Sequence, residues 1–296
     1  MHKYKKGEYR DQFVIAYITD LDDYQDTVDW SIKFCNLLKK GLILLFVADE
    51  QYTQITTRQA QEKLKRINSE LSLPYVHSYA ALSGKTRDVI NNSGDLLNAV
   101  MIVARCSNGI YGSAQKESGK EIVDNKKLPI HYNNILKDFR TSRIAYFVFK
   151  RYNSDCNFNN VVLSMNAMKE CKEKILWASY FGRFADSVTH IYYRRYRDEY
   201  LQKQLNLNIG FLRKMFRKFG IETLNARSME KKDKLDVQAL DYAVEKNCDL
   251  CIFQTTKNKS YIEFFTGLPE RKVLRRLDGV PVLYLNQRDD LFVMCE

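Results

Sequence analysis

Short apolar runs alternate along the chain with longer stretches in which apolar residues recur every three or four positions. The short runs predict strands at 13–19, 42–48, 75–81, 99–104 and 129–132, and again at 160–165, 187–193, 221–226, 249–253 and 280–285. Continuous apolar runs, as opposed to strict alternation, are expected where a parallel sheet is covered by helices on both faces. The stretches between them carry helical spacing. In NIGFLRKMFRKFG, Phe211, Met215 and Phe219 fall at i, i+4 and i+8, and Gly220 marks the helix end.

The same series of anchors appears twice. The only two tryptophans, Trp30 and Trp177, are 147 residues apart, and each lies in a helix-like stretch. Asp20 and Asn166 close the apolar runs just upstream, AVMIVA matches DLCIFQ with Ala104 opposite Gln254, and Pro129 and Pro281 each open a late strand. A slowly drifting offset is the mark of a duplicated unit with small loop insertions. The expected layout is a basic N-terminal tail over 1–11, one domain over 12–138, a second over 143–290 and a tail over 291–296. Each domain is read as doubly wound α/β, a five-stranded, mainly parallel sheet with helices on both faces.

Composition narrows this picture only a little. At 296 residues and 45% hydrophobic, the chain suits two domains of ordinary size. No apolar run reaches the roughly 18 residues of a membrane span, and no apolar region follows the basic MHKYKKGEYRD as it would in a secretory signal. Seven scattered cysteines fit reduced thiols better than a disulfide framework, so a cytoplasmic chain is expected. The net charge of +11 favours anions in general, without choosing among nucleotides, nucleic acid and acidic lipid.

Three local patterns are read as structural. SGKT at 83–86 resembles the end of a phosphate loop, but the leading glycine would fall on Tyr79. Cys248 and Cys251 lead into an apolar run, with no second ligand pair for zinc. YYRRYRDEY, 192–200, mixes cations and aromatics as single-strand nucleic-acid surfaces do, and is read instead as part of a solvated helix. No catalytic constellation stands out.

The ordered set of anchors, present twice, resembles the universal stress protein family: Asp20 ending the first strand, GLILLFVAD as the second, a glycine and helix leading into AVMIVA or DLCIFQ, and VPVLYLN as the closing strand. The resemblance implies two tandem Rossmann-like domains of the adenine nucleotide alpha hydrolase type, paired as an intramolecular pseudo-dimer, in a binding or regulatory protein of stress adaptation. A homodimer and an anionic small molecule are the other partners it leaves open. Nucleotide-binding members carry G-x2-G-x9-G-[ST] after the fourth strand, where backbone amides cradle phosphates. Here that spacing falls on Ala104, Ser107 and Glu117 followed by Ser118, and on Gln254, Lys257 and Gly267 followed by Leu268. With Asp20 and Asn166, these positions form the candidate site. One motif position survives in each half, so no cofactor and no catalysis are expected. The alternatives are ATP bound, or slowly hydrolysed, in the second half, and an anionic-lipid or nucleic-acid surface.

Overall fold

The computed structural model describes residues 12–51, 53–106, 132–140, 142, 144–168, 171–227, 234–255, 269–277 and 279–286. Ten strands in it form one continuous sheet, in the order β3-β2-β1-β4-β5-β10-β9-β6-β7-β8. In the first half these are β1 (Phe13–Tyr17), β2 (Gly41–Ala48), β3 (His77–Ser83), β4 (Ala99–Arg105) and β5 (Ala145–Phe149). The second half supplies β6 (Asn160–Met165), β7 (Val188–Tyr193), β8 (Thr223–Arg227), β9 (Leu250–Gln254) and β10 (Val282–Leu285). Within each half every pairing is parallel, and each half is doubly wound, as expected.

The halves meet where β5 and β10 run antiparallel, with Val282, Leu283 and Tyr284 opposite Val148, Phe147 and Tyr146. The expected pairing through the last strands therefore holds, but with a correction to the first of them. Residue 132 begins a helix, α4 (Tyr132–Phe139), and the fifth strand is Ala145–Phe149. Residues 129–131 lie outside the described residues. The physical reason is a longer connection: 26 residues (106–131) separate β4 from α4, against 14 (255–268) between β9 and the matching helix α8 (Pro269–Arg276). Beyond it the repeat offset drops to 137 residues, from 145 to 282, so Pro129 and Pro281 are not counterparts. The boundary expected at 138–143 begins in the last residues of α4 and ends ahead of β5, inside the first half.

The sheet has a core on each face, and each core runs through both halves. On one face Val14, Ala16, Leu44 and Leu163 pack beneath α1 (Gln25–Leu38), α2 (Thr57–Glu70), α5 (Cys171–Phe184) and α6 (Glu199–Phe219). On the other, Ile15, Tyr17, Ile102 and Phe253 pack beneath α3 (Thr86–Leu96), α4, α7 (Leu235–Glu245) and α8. Successive side chains of a strand point to opposite faces, so apolar runs such as VIAY and LILLF supply both cores at once.

Helix ends follow local chemistry. Thr56 and Gln59 make a reciprocal capping box at α2, Asp198 caps α6, and Gly220, at φ 67°, ends α6 in the left-handed conformation a glycine adopts without strain. The buried face of α6 needs correcting, because it is Leu205, Ile209, Leu212 and Phe216, while Phe219 is 42% exposed. Two interleaved apolar stripes exist in that sequence, and the sheet selects the one continuous with Leu205. YYRRYRDEY is also corrected: it spans the end of β7 and the connection to α6, and only Glu199 and Tyr200 are helical.

Candidate functional site

In a doubly wound sheet, ligands bind outside the carboxyl ends of the strands where the strand order reverses. Here those points lie between β1 and β4 in the first half and between β6 and β9 in the second. The fold brings four of the expected site residues to them: Asp20 and Ala104 to one, Asn166 and Gln254 to the other. Ser107, Ser118, Lys257 and Gly267, with Glu117 and Leu268, lie outside the described residues.

The first crevice is crossed by a charge network that motif matching missed. Asp20 lies just past β1, and its Oδ1 accepts from the backbone N–H of Asp22 at 2.9 Å, turning the chain into α1. Ala104 is fully buried and contributes only packing. Its neighbour Arg105 donates Nη1 to Asp23 Oδ2 at 2.6 Å and Nε to the carbonyl of Lys150 at 3.1 Å, with Nη2 3.9 Å from Asp26. Lys63 pairs with Asp22 at 2.6 Å. The start of α1, where a helix dipole would favour an anion, thus already holds carboxylates, and the strand-end cation is engaged with them.

The second crevice is closed differently. Asn166 Oδ1 accepts from the Met168 N–H at 3.1 Å and from the Cys171 thiol, and its carbonyl accepts from Asn208 Nδ2 at 3.0 Å. One residue pair upstream, Lys174 is 1% exposed and donates Nζ to the Ser164 carbonyl at 2.6 Å, with Ser164 Oγ at 3.4 Å. Asp236, at the start of α7, hydrogen-bonds the Ser164 hydroxyl and feels the Lys174 charge. Loss of solvation outweighs both and leaves its carboxyl above the ordinary range. In sequence terms, Lys174 betrays itself as a lone cation on the buried stripe Cys171, Ile175, Ala178.

The patterns set aside earlier behave as structure. Ser83–Thr86 forms the β3–α3 turn, with Gly84 at φ 129° and Asp49 Oδ2 accepting from the Thr86 N–H at 2.6 Å. A carboxylate thus occupies the helix start that a phosphate loop would offer to phosphate. Cys248 and Cys251 are both buried, burial pushing Cys248 up to about 11 and Cys251 well above the ordinary thiol value. Among the described residues, no group of histidine, cysteine and carboxylate could hold a metal ion, and no helix is long and apolar enough to cross a membrane.

No protein-family model matches the sequence, and no curated protein matches it. Solved structures do match the fold. A universal stress protein from Archaeoglobus fulgidus superposes with a TM-score of 0.64 at 13% identity, over 94% of this chain and 97% of that one. A functionally unknown protein from Pseudomonas aeruginosa PAO1 gives 0.59 at 11% identity over 94% and 93%. A putative universal stress protein from Pseudomonas aeruginosa gives 0.58 at 11% identity over 93% and 92%. Near-complete coverage of all three extends the likeness to both halves.

Proposed function

Because the chain has the universal stress protein fold, repeated within one sheet, we propose that it is a binding or regulatory protein of stress adaptation that works without catalysing a reaction. The observation that carries this reading is the occupancy of both crevices by the protein's own charges: Arg105 on Asp23 in one, Lys174 on Ser164 beside Asp236 in the other. A nucleotide phosphate entering the first crevice would meet the carboxylates of Asp20, Asp22, Asp23 and Asp26, and would have to draw Arg105 away from them. In the second, Lys174 is sealed beneath the helix and cannot reach a ligand without unburying its stem and abandoning Asp236. A cation already paired inside the protein gives little net gain when it changes partners.

Calorimetry with ATP and magnesium at physiological salt tests the reading. Weak, salt-sensitive binding with little preference for ATP over other polyanions is expected. Submicromolar, magnesium-dependent ATP binding would overturn it. Mass spectrometry of small molecules released on denaturing the purified protein would identify the ligand that the regulatory role requires.

A further inference from the structure

One face of the sheet is covered by two pairs of helices, α1 with α2 and α5 with α6, and the pairs differ on their outer sides. Among the described residues of α1 and α2, no large hydrophobic side chain is exposed. On α5 and α6, Tyr180, Phe184, Tyr200, Leu207 and Phe219 are each at least 40% exposed. The fold is the same in both halves, so it does not require apolar side chains there. Charge divides the pairs in the same way. Helices α5 and α6 hold eight lysines and arginines against two glutamates, whereas α1 and α2 hold five against four carboxylates. Of the eight cations only Lys174 is buried. Glu173 and Glu199 both lie in first turns, which leaves Arg183, Lys214, Arg217 and Lys218 toward the other end, offset in part by Asp186 and Glu222 in the turns that follow.

Rings and cations interleave across the two helices. Tyr180 stacks on Phe184 at 6.0 Å, and the Arg183 guanidinium lies 5.1 Å from the Phe184 ring and 4.6 Å from that of Phe219 on α6. Basic residues at a helix C-terminus complement its dipole, which accounts for Arg217 and Lys218. It does not account for the rings among them. Single exposed aromatics need no explanation, but a connected row framed by like charges is the make-up of an interaction surface.

We infer that the outer side of α5 and α6 docks on a membrane surface of anionic phospholipid. Tyr180, Phe184, Leu207 and Phe219 enter the boundary between headgroups and acyl chains, while Arg183, Lys214 and Lys218 meet the headgroup anions. Long basic side chains suit this role, because their stems lie along apolar surface while their charges stay in water. Single-stranded nucleic acid fits the charge but not the rings. Bases stack on free aromatic faces, whereas Tyr180 and Phe184 stack on each other and Arg183 lies against Phe184 and Phe219. A second copy fits the rings but not the charge, since a two-fold contact would set this cationic face against itself. The outer sides of two helices are ridges. A deformable bilayer receives a ridge without a matching socket, which a folded protein partner would have to supply.

Co-sedimentation of the full-length chain with phosphatidylcholine vesicles, with or without phosphatidylserine as roughly a third of the lipid, tests the docking face. Binding to the anionic vesicles should exceed binding to the neutral ones about tenfold at physiological salt, and weaken as salt rises. Tyr180→Ser with Phe184→Ser, and separately Lys214→Glu with Lys218→Glu, should each lower it about tenfold. All four side chains are exposed, so circular dichroism melting should stay as in the unsubstituted chain. Lys65→Glu with Arg66→Glu on α2 removes equal charge from the first half and should leave binding within about twofold. Equal binding to both vesicles, full binding by the Tyr180 and Phe184 variant, or an equal loss in the α2 variant would overturn the inference. So would single-stranded RNA retention, or self-association on concentration, that the Tyr180 and Phe184 variant abolishes while vesicles are not bound.

Discussion

At the scale of the residue, equivalence in sequence does not bring equivalence in packing. Trp30 touches Phe34, Phe147, Phe149, Tyr152 and Phe158, so Trp30→Ala should cost about 3–5 kcal/mol of unfolding free energy. Trp177→Ala, from a half-buried site, should cost about 1–2 kcal/mol by the same urea titration. Equal losses would mean that the two sites are equally covered. Asn286 is a smaller residue with a larger reach. Its buried amide donates to the carbonyls of Phe139 at 2.8 Å and Ser142 at 2.7 Å, and its Oδ1 accepts from Thr255 at 2.8 Å, so it ties the end of β10 to the turn before β5. Asn286→Ala would strand those groups away from water, at about 1–3 kcal/mol. Asn286→Asp should be worse, because an ionised carboxylate would face carbonyl oxygens.

At the scale of the element, charge at the start of α1 decides what the first crevice accepts. Replacing Asp23 and Asp26 by asparagine frees Arg105 from its ion pairs and removes two carboxylates from the crevice. Polyanion affinity should rise, and fall again with salt, if those acids are what exclude phosphate; unchanged affinity in calorimetry would place the exclusion elsewhere. Buried cysteines set a second behaviour at this scale. Burial pushes Cys35 and Cys106 up to about 12 and Cys156 up to about 11. These thiols are therefore protonated at neutral pH, and native-state alkylation at pH 8 should leave them unmodified over times that label all seven in denaturant.

At the scale of the whole molecule, the β5–β10 seam joins two α/β units into one sheet with two shared cores. Shared cores predict shared unfolding. Trp30→Phe and Trp177→Phe variants, each reporting one half, should each show fluorescence and circular dichroism melting together in a single transition; separated fluorescence and circular dichroism transitions would mean that the halves are independent. The pH dependence follows from the same burial. Cys35, Cys106, Cys156 and Cys248 have native values raised above the ordinary thiol value of 9.0, so the unfolded chain loses protons first. Stability is then full below about pH 9 and declines as pH rises toward the raised native values. His190 works in the opposite direction. Held between the Tyr242 hydroxyl at 2.9 Å and Asn160 Oδ1 at 3.1 Å, it has its value lowered from 6.5 by burial, so its contribution is present above that pH and lost as pH falls. A stability maximum between these limits is expected in urea titrations across pH, and His190→Gln should flatten its acid side.

Nine of the ten strands, their parallel sense, the duplication and the end of α6 were legible in the sequence, because each rests on local information: run length, periodicity, and a glycine where φ must be positive. The tenth strand was not. AYFVF is the more apolar run, but the offset between Pro129 and Pro281 pointed to 129–132, and it is the pairing of 145–149 between β4 and β10 that overrides it. The candidate site divides along the same line. Sequence spacing places Asp20, Ala104, Asn166 and Gln254 at the carboxyl ends of strands, since those ends are consequences of the strands themselves. The pairing of Arg105 with Asp23 spans 82 residues, and Lys174 meets Asp236 only through Ser164. Such contacts have no periodicity to betray them. They exist because the sheet carries distant segments to one edge, where their charges must be satisfied by whatever the fold has placed beside them.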